Sequence, residues 1–267
     1  MARALLMHDP TILCALAHPQ HIAPRTVHVW SFRLATSASC LDKCRRSLSS
    51  SEWARAERFV AAQDRDDFTV AHGVLRHLLA RYTGAAAPDL TFSVAANGKP
   101  ALAAHAATLS FNLSHAQGRA LIAVSDGREI GVDLEKIGSA VKALAIARRY
   151  FAAAECAAIE AAPAAALAQV FFRYWVAKEA VLKGAGIGLR FPIDEFEIQF
   201  DAQGEAGRIR TDEASRLDGD WMIRMPPIDE GWAAAVAARG SDWTLRLEEA
   251  PDVAINSLSA AEGSPRR

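Results

Sequence analysis

The chain has 267 residues and is 51% hydrophobic, enough to bury a substantial core in one large domain or two small lobes. With 30 basic against 31 acidic residues its formal net charge is −1, so no global basic field points to nucleic acid. No apolar stretch reaches a bilayer span, and His8-Asp9-Pro10 breaks the Ala4-Leu5-Leu6-Met7 run before it could form a secretory core, so a cytoplasmic protein without membrane contact is expected.

Residues 1–25 have no clear period, carry Pro10, Pro19 and Pro24, and read as a loose N-terminal extension. Val27 to Phe32 alternates and is rich in β-formers, which predicts a strand. Cys40 and Cys44 lie one helical turn apart. No second pair completes a zinc set, so free cysteines of a reducing compartment are expected. Ser49 with Glu52 forms a capping box and predicts a helix to about Phe59. Phe68, Ala71, Leu75, Leu78, Leu79 and Tyr82 recur at three and four across a longer helix, about Asp64 to Tyr82, with Gly84 placed as its C-terminal cap.

Strands are expected at Leu90–Val94, Leu109–Leu113, Ala120–Ser125 and Ile130–Glu135, with Asp126-Gly127 as a tight turn between the last two. Helices follow at about Val141–Tyr150, Ala154–Ala161 and Ala164–Lys183, then strands at Phe196–Phe200, Arg208–Arg210, Trp221–Arg224 and Trp232–Ala238. Helices and then strands, twice over, predict an α+β fold of two similar lobes, residues 26–126 and 127–249, before a polar flexible tail at 250–267.

In Ile130-Gly131-Val132-Asp133-Leu134-Glu135, strand alternation puts Asp133 and Glu135 on one face, about 7 Å apart, where they can converge on a hard cation or simply form a solvated sheet face. Trp175, Glu179, Leu182 and Lys183 share a helix face. Glu179 and Lys183 also fit an ordinary i, i+4 salt bridge, although the dense aromatics Phe171, Phe172, Tyr174 and Trp175 argue for a buried helix. Ser114 and His115 end a strand in groups able to bind phosphate, or form a surface turn, and Lys99 stands on a turn shaped by Gly98 and Pro100.

Four segments in this order, Asn97-Gly98-Lys99-Pro100, Phe111-Asn112-Leu113-Ser114-His115, Gly131-Val132-Asp133-Leu134-Glu135 and Trp175-x-x-Lys178-Glu179-Ala180-x-x-Lys183 leading to Gly186-x-Gly188-Leu189, closely resemble the 4′-phosphopantetheinyl transferases, in particular the Sfp-like branch with two lobes in one chain. The resemblance spans about Val27 to Ala238. It implies lobes related by a pseudo-twofold axis, coenzyme A in the cleft between them, a monomer, and transfer of phosphopantetheine to a serine of an apo acyl- or peptidyl-carrier protein with release of adenosine 3′,5′-bisphosphate.

The same resemblance implies that Asp133, Glu135 and Glu179 hold Mg²⁺, that Glu179 is the general base, and that Lys183 meets the charge on the pyrophosphate, with Lys178 a lesser candidate. Ser114 and His115 would contact the 3′-phosphate end of the coenzyme and Lys99 its nucleotide. Arg55 and Arg58 are basic as the family's phosphate grip requires, whereas Glu52 and Asp67 are acidic where positive charge is expected, which leaves Arg65 or Arg76 to compensate. The alanine-rich stretch 140–170, with Arg148 and Arg149, is the candidate carrier surface. A non-catalytic coenzyme A or carrier-binding module and a Mg²⁺-dependent pyrophosphate hydrolase are the alternatives.

Overall fold

The computed structural model describes residues 21–94, 98–104, 108–188, 191–211, 217 and 219–248. Asn97, Leu189, most of the expected N-terminal extension and the expected tail lie outside the described residues. The fold is mixed α+β, and Cα proximity groups its described residues into two units, Phe32–Leu90 and Ile22–Ser31 with Thr91–Glu248.

The first unit is helical. Helix α1 (Ala38–Ser47), which the sequence does not announce, starts where the Ser37 hydroxyl accepts from the Cys40 amide. Helix α2 (Ser50–Ala56) starts at the expected capping box, with both of its Ser49–Glu52 hydrogen bonds formed. Helix α3 (Ala62–Thr83) ends at Gly84, whose φ of 73° is the left-handed conformation that suits glycine. Gly73 sets the distance between α1 and α3, because a Cβ there would stand 2.4 Å from Cys44 Cβ. Cys40 and Cys44 are therefore packing groups between helices. Glu52 also accepts from the buried Arg76 guanidinium at 2.7 Å, and Arg76 donates to the Ala87 and Leu90 carbonyls.

The second unit holds the two main sheets and three helices. Strands β1 (Thr26–Arg33), β4 (Ser110–Ala116), β5 (Arg119–Ser125) and β11 (Thr244–Glu248) form one sheet in the order β11-β1-β5-β4. Strands β6 (Ile130–Lys136), β7 (Phe196–Phe200), β8 (Ala206–Thr211), β9 (Trp221–Arg224) and β10 (Trp232–Arg239) form the other in the order β6-β10-β9-β8-β7, and β2 (Phe92–Val94) pairs with β3 (Pro100–Leu102). The hairpin differs from expectation. Asp126-Gly127 does not join a pair, because β5 and β6 enter different sheets. The tight turn is Gln117-Gly118 between β4 and β5, both at positive φ, with Ala116 opposite Arg119.

Alternation gives the five-stranded sheet two apolar faces. Ile130, Val132, Leu134, Ala234 and Val236 pack with Val27, Val29, Leu121 and Ala123 of the other sheet. On the opposite face Ala233, Ala235 and Ala237 pack against Val176, Ala177, Ala180 and Val181 of helix α6 (Leu167–Ala185). Helices α4 (Ala140–Tyr150) and α5 (Ala153–Glu160) cover the start of α6 through a small core around Phe151 and Phe171, whose rings stack at 5.3 Å. No described helix is long and apolar enough to cross a membrane.

Candidate active site

Gly131, Asp133 and Glu135 lie on the α6 side of β6, opposite Ala237, Ala235 and Ala233 of β10. The small alanines let the helix settle close. Gly131 brings it closer still, since a Cβ there would lie 2.0 Å from the Ala180 carbonyl oxygen and 2.3 Å from the Gly184 nitrogen. Helix α6 then carries Trp175, Glu179 and Lys183 along the face beside the strand carboxylates, and all three line one cavity with Asp133 and Glu135. Leu182, expected on the same face, is instead in the core.

Lys183 Nζ lies 2.6 Å from Asp133 Oδ1, and Ser114 closes a triangle with them: its hydroxyl donates to Asp133 Oδ1 at 3.0 Å and accepts from Lys183 Nζ at 3.0 Å. Asn112, two residues earlier on β4, accepts from the Val132 amide at 2.9 Å and so ties β4 to β6. His115 is exposed, on the face of β4 opposite Ser114.

Burial first, and then the neighbouring Asp133 charge, push the Glu179 carboxyl up to about 7, against the pull of Lys183. The same two causes raise Glu135. Asp133 Oδ2 is buried without a hydrogen-bond partner. Among the described residues no three acidic, histidine or cysteine groups stand in a metal-binding arrangement as the side chains lie. The chemistry of the set nevertheless fits a hard cation: an orphaned buried carboxylate oxygen, and two further carboxyls that burial and then the Asp133 charge push up.

The cavity of about 750 Å³ beside the carboxylates is walled by Ile146, Arg149 and Tyr150 of α4 and by Phe191 to Asp194. The sequence singled out Arg149 only within a broad stretch and gave no sign of the Phe191-Pro192-Ile193 wall. Arg148, named with it, pairs instead with Glu160 at 2.7 Å.

The other residues singled out as contacts have the following surroundings. Lys178 is 1% exposed, pairs with the equally buried Glu155 at 2.9 Å, and donates to the Ile193 and Phe196 carbonyls. Lys99 donates to the Ile130 and Gly184 carbonyls. In the helical unit Arg55 is exposed over the Phe68 ring, while Arg76 is buried on Glu52. Asp67 accepts from Gln63 at 2.6 Å.

The model of the 4′-phosphopantetheinyl transferase superfamily matches residues 129–237, and the model of the 4′-phosphopantetheinyl transferase N-terminal region matches 35–127. The 4′-phosphopantetheinyl transferase HetI of Nostoc is 36% identical over 219 residues, which are 81% of this chain and 89% of that protein. The chain belongs to the 4′-phosphopantetheinyl transferase superfamily and is a transferase enzyme. It is similar to Sfp of Bacillus subtilis, 28% identical over 71% of this chain and 81% of that one. It is also similar to the human L-aminoadipate-semialdehyde dehydrogenase-phosphopantetheinyl transferase, 27% identical over 74% and 69%.

Proposed function

We propose that this enzyme moves the 4′-phosphopantetheine moiety of coenzyme A onto a serine of an apo acyl- or peptidyl-carrier protein, with Mg²⁺, and releases adenosine 3′,5′-bisphosphate. The observation that carries the reading is the placement of Glu179, poised near 7, beside Asp133 and Lys183 on the wall of an open cavity. A carboxylate at that place can accept a proton from a hydroxyl that enters the cavity. Asp133, Glu135 and Glu179 would hold the cation, which supplies charge neutralisation on the pyrophosphate.

The chain's own residues account for the rest. Glu179 takes the serine proton as the serine oxygen bonds to the β-phosphorus. The bond from that phosphorus to the bridging oxygen breaks, and its electron pair leaves with adenosine 3′,5′-bisphosphate. The Lys183 ammonium, held by Ser114 and Asp133, meets the charge that develops on the leaving phosphate. Arg55 remains the candidate for the coenzyme's 3′-phosphate, and His115 a second one. The pseudo-twofold relation of lobes 26–126 and 127–249, a monomeric state and a cytoplasmic setting belong to the same proposal.

The test is intact mass of a panel of apo carriers incubated with the enzyme, coenzyme A and Mg²⁺. One carrier should gain the phosphopantetheine mass. If none does, the reading fails, and cleavage of coenzyme A without a carrier would make the enzyme a hydrolase.

A further inference from the structure

Lys99 stands on the turn before β3, and its side chain reaches the close approach of β6 and α6 within the same unit. Its Nζ donates to the Ile130 carbonyl at 3.0 Å and to the Gly184 carbonyl at 2.5 Å. Ile130 adjoins Gly131, the residue whose missing Cβ permits the close approach. Gly184 follows Lys183 directly and is itself wedged, since a Cβ on it would stand 2.5 Å from the Trp221 ring. The Gly184 carbonyl also belongs to the last turn of α6, where carbonyls have no partner within the helix and an ammonium meets the negative end of the helix.

We propose that Lys99 is a positioning residue for the transfer reaction, a strap that fixes the last turn of α6 against β6, and that its amine is not a contact for the coenzyme's nucleotide. The idea rests on the transfer reading above. The two strapped carbonyls flank the pair whose separation the reaction uses: Asp133 lies three residues beyond Ile130 on the same strand, and Lys183 precedes Gly184. One amine therefore sets the register that leaves Lys183 Nζ 2.6 Å from Asp133 Oδ1. Two of the three donors of the ammonium are spent on these carbonyls, so its position is set by the strand and the helix end. Burial lowers the amine to about 8 against the pull of Glu129, which agrees with a group committed to the interior.

The two roles separate in kinetics. Loss of a strap misplaces reacting groups and lowers kcat, while loss of a nucleotide contact raises KM for coenzyme A. Lys99→Met should lower kcat about tenfold or more, since misplacement by about 1 Å costs up to a hundredfold, with KM for coenzyme A within about twofold of wild type. Lys99→Arg, which can still donate to both carbonyls, should recover much of the kcat. Amide exchange at Gly186 and Ile187, both bonded to the Leu182 carbonyl, should accelerate in Lys99→Met.

An unchanged kcat, a KM for coenzyme A raised about tenfold with kcat retained, or unchanged exchange overturns the strap. If Lys99→Met does not fold, Lys99→Gln, too short to reach both carbonyls, decides by the same split between kcat and KM. Exchange needs no substrate, so an enzyme that modifies no carrier would sink the transfer reading and still leave the strap to be judged.

Discussion

Lys183 and Asp133 meet at 2.6 Å with unequal surroundings: the lysine side chain is 32% exposed and the aspartate 4%. The carboxylate is fixed in the wall while the ammonium keeps room to move toward an incoming pyrophosphate. Asp133→Ala should therefore abolish transfer and leave the circular dichroism spectrum near that of wild type. Retained activity would remove Asp133 from the site.

The acidic cluster predicts how the metal and pH act together. The folded Glu179 carboxyl sits near 7, above its ordinary 4.5, so its contribution to stability is fully present below about 4.5 and is lost as pH rises through 7. Mg²⁺ should offset that loss. Thermal denaturation without substrates should show Mg²⁺ raising Tm at pH 8 more than at pH 5, and the increment should vanish in Asp133→Asn. An increment equal at both pH values would place the cation elsewhere.

In the helical unit the sign reverses. Burial would raise Glu52, but hydrogen bonds from His72 and Ser49 and the Arg76 charge together hold it at about 2. Its stabilisation is present above about 4.5 and is lost as pH falls toward 2. Glu52→Gln should melt earlier than wild type at pH 6, and the difference should shrink as the solution is acidified. A constant difference would mean that Glu52 acts through packing alone.

Burial pushes Glu155 up and Lys178 down, so each is tolerated only because the other is there. Lys178→Met should cost about 3–5 kcal/mol by leaving a buried carboxylate alone, and adding Glu155→Gln should restore a large part of that. Denaturant titration of both variants gives the comparison. Additive losses would show that the two residues do not act as a pair.

If the cavity beside Glu179 receives the carrier, Arg149 is better placed than Arg148, which is occupied by Glu160. Arg149→Glu should raise KM for an acidic carrier by about tenfold with kcat little changed, whereas Arg148→Glu should do much less. Steady-state kinetics on one carrier settles the ranking, and equal effects would discard it.

The chemical end of the site was legible because it is local. Alternation put Asp133 and Glu135 on one side of a strand, and helical spacing put Glu179 and Lys183 on one side of a helix. What joins the two segments was not legible. Gly131 matters for the Cβ it lacks against a helix backbone some fifty positions later, and nothing in its neighbours signals that.

Lysines were harder still, since Lys99 and Lys178 look like solvent or ligand contacts in sequence and end on backbone carbonyls. The β4–β5 hairpin escaped because glutamine is an uncommon residue at positive φ, whereas Asp126-Gly127 looks like a hairpin turn and connects strands of different sheets. Strand β11 escaped because it is short and its partner is far away in sequence.

That last pairing has a consequence for how the molecule is made. Thr26 lies opposite Thr244 and Trp30 opposite Glu248, in a parallel ladder that places β1 between β11 and β5. The first described strand is thus completed by the last described one. Until residue 248 has emerged, one edge of β1 is an open row of amides and carbonyls on an apolar strand, the kind of edge that recruits other chains. Closure of this sheet waits for the residues of β11, and a chain cut before Thr244 should be recovered as aggregate even though every site residue precedes the cut.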